Sequence, residues 1–231
     1  MAINISLSSY IDILHPKNSS HFINKNKEKK DLKDSFYNVL VGRVIDLIFM
    51  ISQVMILKST IQKNLPTDPR QLQLATQQIA AADALISPVF MIASLIIGII
   101  FFYALQYAFH LVMKLFGKNG NIHGQCYLVS LLYVCFVFIN LVLSSALLLH
   151  GPIDPSAMMQ GPTDPISIGI SFVALALFVY LLYRLYEIIK TVYNLSLFGA
   201  IAALLGFIAV FFAVNSIFLS IASALLGGAL G

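Results

Sequence analysis

Apolar residues in this chain fall in long unbroken runs rather than in alternation. Five runs reach the roughly 20 residues needed to cross a bilayer as a helix. They lie at about 36–57, 88–113, 127–149, 166–185 and 197–219. The pattern predicts an all-α fold, a polytopic transmembrane bundle of five spans. The lack of alternation argues against a transmembrane barrel. Between the first two runs, residues 58–85 are more polar. There Asp68-Pro69 reads as an N-cap followed by proline at the first helical position. Leu72, Ala75, Ile79, Ala82 and Ile86 then recur at spacings of three and four, which predicts an amphipathic helix lying on the membrane surface. Residues 1–35 read as an N-terminal cytoplasmic tail, and 36–231 as the five-span domain. The tail opens with Ile3, Ile5, Leu7, Tyr10, Ile11, Ile13 and Leu14, apolar enough for an interfacial helix that His15-Pro16 ends. The connection at 150–165 repeats one unit, Gly151-Pro-Ile-Asp154-Pro and Gly161-Pro-Thr-Asp164-Pro, whose Asp-Pro pairs favour turns.

Composition sharpens this picture. Hydrophobic residues make up 59% and charged residues 10%, against about 25% charge in a soluble domain. So few charges cannot cover a soluble enzyme, and so many apolar residues exclude a disordered chain. The net charge of +4 matters through its placement. Lys17, Lys25, Lys27, Lys29, Lys30 and Lys33 cluster in the tail, which predicts anionic lipid headgroups as its partner and no nucleic acid. Threading five spans puts ten Lys and Arg on the side of the tail, the 114–125 turn and the 184–196 connection, and three on the other. The N-terminus is therefore expected inside and the C-terminus outside. Cys126 and Cys135 stand nine residues apart on one predicted helix. That separation is about 13 Å along the axis, too far for a disulfide.

Ionisable and amide side chains inside spans are the candidate intramembrane polar contacts. Arg43 and Asp46 share one face of the first span, where Arg43 lies close enough to its cytoplasmic end to snorkel. Asn140 and Asn215 lie in the third and fifth spans, and His110 is expected at headgroup level near the end of the second. Gly199, Ala203 and Gly206 form a small-residue face in the fifth span, suited to close helix packing or to a homo-oligomer. Tyr180, Tyr183 and Tyr186 approach Arg184, Glu187 and Lys190 as a headgroup belt. No G-x-S-x-G, H-E-x-x-H or P-loop occurs. Asp154 and Asp164 alone make a poor cation site. A non-enzymatic protein with no cofactor or metal is expected.

The order of features resembles the YPT-interacting protein (Yip) family of five-span membrane proteins, in its prokaryotic short-tailed form. The opening "IDILHPKNSSHF" is similar to that family's approach to the membrane. Residues 111–134, "LVMKLFGKNGNIHGQCYLVSLLYV", resemble its second-to-third-span turn, with a Gly-x-x-Gly segment and a Tyr opening the third span. Residues 182–206, "LYRLYEIIKTVYNLSLFGAIAALLG", resemble its return into a small-residue fifth span. The resemblance implies a multi-pass protein, in the cytoplasmic membrane of a prokaryote, acting in membrane organisation or trafficking as a scaffold or by binding another membrane protein. The other expectation is a small transporter or channel subunit, which needs a polar path near the first, third and fifth spans.

Overall fold

The computed structural model describes residues 7–29, 31–63, 65–66, 68–150 and 165–227. The Asp154 and Asp164 repeat lies outside them. Among the described residues there are eight helices and no strand: α1 Leu7–Leu14, α2 Ser19–Asn26, α3 Lys33–Lys63, α4 Pro69–Leu85, α5 Pro88–Leu115, α6 Ile122–His150, α7 Pro165–Val192 and α8 Leu197–Gly227. Five of them, α3, α5, α6, α7 and α8, are long and apolar enough to cross a membrane.

Local chemistry sets the helix ends. Asp68 caps α4 by accepting from the backbone N–H groups of Arg70 at 2.8 Å and Gln71 at 3.2 Å, with Pro69 beginning the helix. Ser87 and Pro88 repeat the device at the start of α5. At the end of α5, Gly117 adopts φ +69°. The N–H of Gly117 bonds the carbonyl of Lys114, and that of Lys118 bonds the carbonyl of Met113, both at 2.9 Å. This is the paired closure that a left-handed residue after a helix allows. Asn194, at φ 49°, plays the same part after α7, where the Leu195 N–H reaches back to Lys190. Helix α6 begins at Ile122, before its apolar run, because the Asn121 side chain accepts from the His123 N–H at 3.1 Å.

Helix α6 sits at the centre, packed against α3 and α7, with α1, α2 and α5 also against it; α8 closes the bundle against α5 and α7. Phe109 ties α5 to α8 and to the α7–α8 connection, with ring centroids 5.0 Å from Phe207 and 5.8 Å from Tyr193. The N-terminal segment is part of this core. Ile13 of α1 and Ile23 of α2 are fully buried in it. The chain after α2 lies so close to α6 that a Cβ on Gly124 would stand 2.1 Å from the Lys27 carbonyl oxygen. Lys29 pairs with Asp34 at 2.6 Å and covers the Tyr127 ring at 3.4 Å. The start of α3, the end of α5, the start of α6, the end of α7 and the start of α8 thus meet at one end of the bundle. Exposed Lys17, Lys25, Lys33, Lys114, Lys118 and Lys190 mark this end as the basic one.

Candidate functional site

Three polar assemblies lie inside the bundle. The first is built on Arg184 of α7, of whose side chain 2% is exposed. It donates to Ser19 Oγ at 2.6 Å, to the Leu14 carbonyl at 3.2 Å, and to Glu187 and the Tyr180 hydroxyl. The Tyr180 hydroxyl also donates to the Leu14 carbonyl. The rings of Tyr180 and Tyr183 flank the guanidinium at 4.7 and 5.4 Å. A cation at the last carbonyls of α1 meets the negative end of that helix. Of the residues read as a headgroup belt, Tyr180, Arg184 and Glu187 therefore bind the chain's own N-terminal helices.

The second assembly gathers amides near the basic end. His110 Nδ1 lies 2.8 Å from the Tyr193 hydroxyl, which donates to Gln125 Oε1. Gln125 Nε2 donates in turn to Gln106 Oε1 at 2.6 Å. All four side chains are buried, so His110 is a packed core residue and not at the protein surface. Burial pushes the Tyr193 phenol above its ordinary pKa, which keeps it a neutral donor. The Gln106 Nε2 atom is buried and has no hydrogen-bond partner.

The third assembly holds the first-span pair. Arg43 donates to Asp46 Oδ2 at 3.0 Å, to the Ser94 carbonyl at 3.1 Å and to the Tyr133 hydroxyl at 3.5 Å. It lies in the groove opposite Gly98, where a Cβ would stand 1.9 Å from the guanidinium Nε. Gly98 is ten residues from the start of α5 and seventeen from its end, or about 15 and 25 Å at 1.5 Å per residue. The guanidinium is thus turned into the bundle, well along α5, rather than toward the basic end. Asn140 is exposed on α6 and Asn215 half-buried on α8, and among the described residues no hydrogen bond joins either to this pair.

Between the second and third assemblies lies a cavity of about 330 Å³ walled by α3, α5, α6, α7 and α8. Gln106 and Arg43 are its polar lining residues apart from the Tyr133 hydroxyl; the rest is aliphatic and aromatic. Neither Asn140 nor Asn215 lines it. Among the described residues, no three His, Cys, Asp or Glu side chains converge as a metal set.

A family model described as the Yip1 domain matches residues 11–219, from inside α1 to near the end of α8. The chain belongs to the Yip1 family. No curated protein and no solved structure matches it. Its Yip1 domain includes the α1 segment bound by Arg184, the amide chain and the cavity. With five helices of membrane-crossing length, this Yip1 protein is a multi-pass membrane protein in contact with the bilayer. Sequence reading passed over Gln106, Gln125, Asn38 and Ser130, yet uncharged polar side chains within apolar runs were the available signal. Asn38 donates to Ser130 Oγ at 3.1 Å and accepts from Tyr10 at 2.8 Å, a second tie between α1, α3 and α6.

Proposed function

We propose that this Yip1 protein is a non-enzymatic membrane scaffold that binds other membrane proteins in membrane organisation or trafficking. One observation carries the reading. Most polar side chains inside the bundle are hydrogen-bonded to other groups of the protein, and the cavity they border is walled mainly by apolar side chains. A transporter needs a hydrated path past polar groups; Asn140 and Asn215 stand apart from any path through Arg43. In this proposal the basic end faces the cytoplasm and anionic headgroups, and Lys114 and Lys118 lie where a partner approaches. Of the small-residue set Gly199, Ala203 and Gly206, Gly206 is the proposed contact for self-association, because Ala203 is buried in the core.

The test has two arms. A photo-crosslinking residue placed at Lys118 is expected to capture discrete membrane-protein partners in native membranes. The purified protein is expected to add no potassium or proton leak to vesicles of phosphatidylethanolamine and phosphatidylglycerol. A saturable leak abolished by Arg43→Leu replaces the scaffold with a transporter.

A further inference from the structure

The cavity between Gln106 and Arg43 is graded from closed to open. At the level of Gln106 its walls are Val129, Leu185 and Phe207, each under 10% exposed. Seven residues along α6 and α7 and one turn along α8, it is lined by Phe136, Phe178 and Phe211, which are 42%, 48% and 39% exposed. It therefore has a blind end near Gln106 and a phenylalanine-ringed mouth on the flank of the bundle, where lipid surrounds a membrane protein. Apart from Arg43, Gln106 and the Tyr133 hydroxyl the walls are aliphatic and aromatic, and the mouth admits hydrocarbon.

The blind end is not wholly apolar. Gln106 is completely buried, and its Oε1 is occupied by Gln125. Hydrogen bonds run in one direction from His110 through Tyr193 and Gln125, so the Gln106 amide is held with its Nε2 hydrogens left over. A buried N–H donor without an acceptor is costly. A hydrocarbon tail entering first would leave it unpaired; an oxygen on the leading end would satisfy it.

We infer that this cavity is a lipid-binding site, taking from the bilayer a slender apolar molecule whose leading end carries a hydrogen-bond-accepting oxygen received by Gln106. Two lipid types carry this chemistry: single-chain alcohols and isoprenoid quinones. The inference is independent of the scaffold reading, because occupancy of the site is measured without any partner protein.

The test uses the full chain in phosphatidylcholine nanodiscs and a long-chain fatty alcohol bearing a mid-chain diazirine. Light is expected to attach the probe to peptides containing Phe136, Phe178 or Leu182. The unlabelled alcohol is expected to compete at least tenfold better than the alkane of equal length. Gln106→Leu is expected to erase that preference, and Leu182→Trp, which fills the cavity without touching the amide chain, to abolish labelling. Leu182→Trp carries the test alone if Gln106→Leu does not fold. An isoprenoid benzoquinone competing better than the alcohol assigns the site to ring lipids, and the reverse assigns it to single chains. Equal competition by the alkane, or labelling unchanged in Leu182→Trp, overturns the inference.

Discussion

Arg184 donates to the main-chain carbonyl of Leu14 at 3.2 Å across 170 residues of sequence. A buried arginine is tolerated in an apolar bundle only when charge and hydrogen bonds are met together. Glu187 supplies the charge, while Ser19, Tyr180 and the end of α1 supply acceptors. The arginine is thus the point at which α7 holds both N-terminal helices.

Replacing Arg184 with Leu is expected to release α1 and α2. Because Glu187 is one-fifth exposed, the loss should fall at the lower end of the range for breaking a buried pair, about 3 kcal/mol. Thermal unfolding in detergent and tryptic cleavage after Lys17 and Lys25 measure it. Arg184→Lys should restore only part, since an ammonium cannot reach Ser19, Glu187 and Leu14 in a fixed fork. Unchanged cleavage in Arg184→Leu would show that the N-terminal helices are held by apolar packing alone.

Two glycines make close approaches of different kinds, and alanine should separate them. At Gly124 the obstacle is the backbone carbonyl of Lys27, 2.1 Å from the added Cβ. Gly124→Ala is expected to cost about 1–3 kcal/mol, the range for overpacking where the neighbour cannot yield. At Gly98 the obstacle is the movable guanidinium of Arg43. Gly98→Ala should cost less overall and detach Arg43 from Ser94. Chemical denaturation of the two variants side by side reads the order.

Gly206 addresses the small-residue face of α8. A Cβ there meets no heavy atom within 4 Å, whereas Ala203 is buried in the core. Gly206→Leu is therefore expected to leave the thermal stability of the monomer within about 0.5 kcal/mol, as for an open surface site. If this face joins two copies, the same substitution should dissociate them in size-exclusion chromatography with light scattering. An unaltered oligomeric state would remove Gly206 from any interface.

The five membrane-crossing helices were legible in the chain, and so was the start of α4. Asp68-Pro69 acts locally, through atoms a few residues apart, so sequence displays it. The polar centres were legible only in part. Arg43 and Asp46 are one helical turn apart and do pair. Arg184 looked like a headgroup anchor because hydropathy records what surrounds a residue in sequence. Its decisive partners, Leu14 and Ser19, are set by tertiary packing. For the same reason the N-terminal segment read as a tail, although Ile13 and Ile23 are fully buried. Gln106 and Gln125 drew no notice because each is one amide in an otherwise apolar run.

Orientation is open to direct labelling. Both native cysteines are buried, so background reaction is small. With the basic end inside, a cysteine introduced in the 150–165 connection should react with an impermeant maleimide in intact cells, and Lys118→Cys only after permeabilisation. The opposite pattern would invert the topology.

The clasp on α1 and α2 also constrains how the molecule is made. Ser19 and Leu14 leave the ribosome 165 and 170 residues before the arginine that holds them. Three spans must be inserted before that partner exists. During this interval Ile13 and Ile23 lack part of their final burial, and the N-terminal segment must be sheltered by lipid or by a chaperone. Closure of so long a loop makes it a late event in assembly. Translation that halts before α7 would therefore yield a protein with membrane-inserted helices and an N-terminus held only through α3 and α6, a form more open to quality-control proteases.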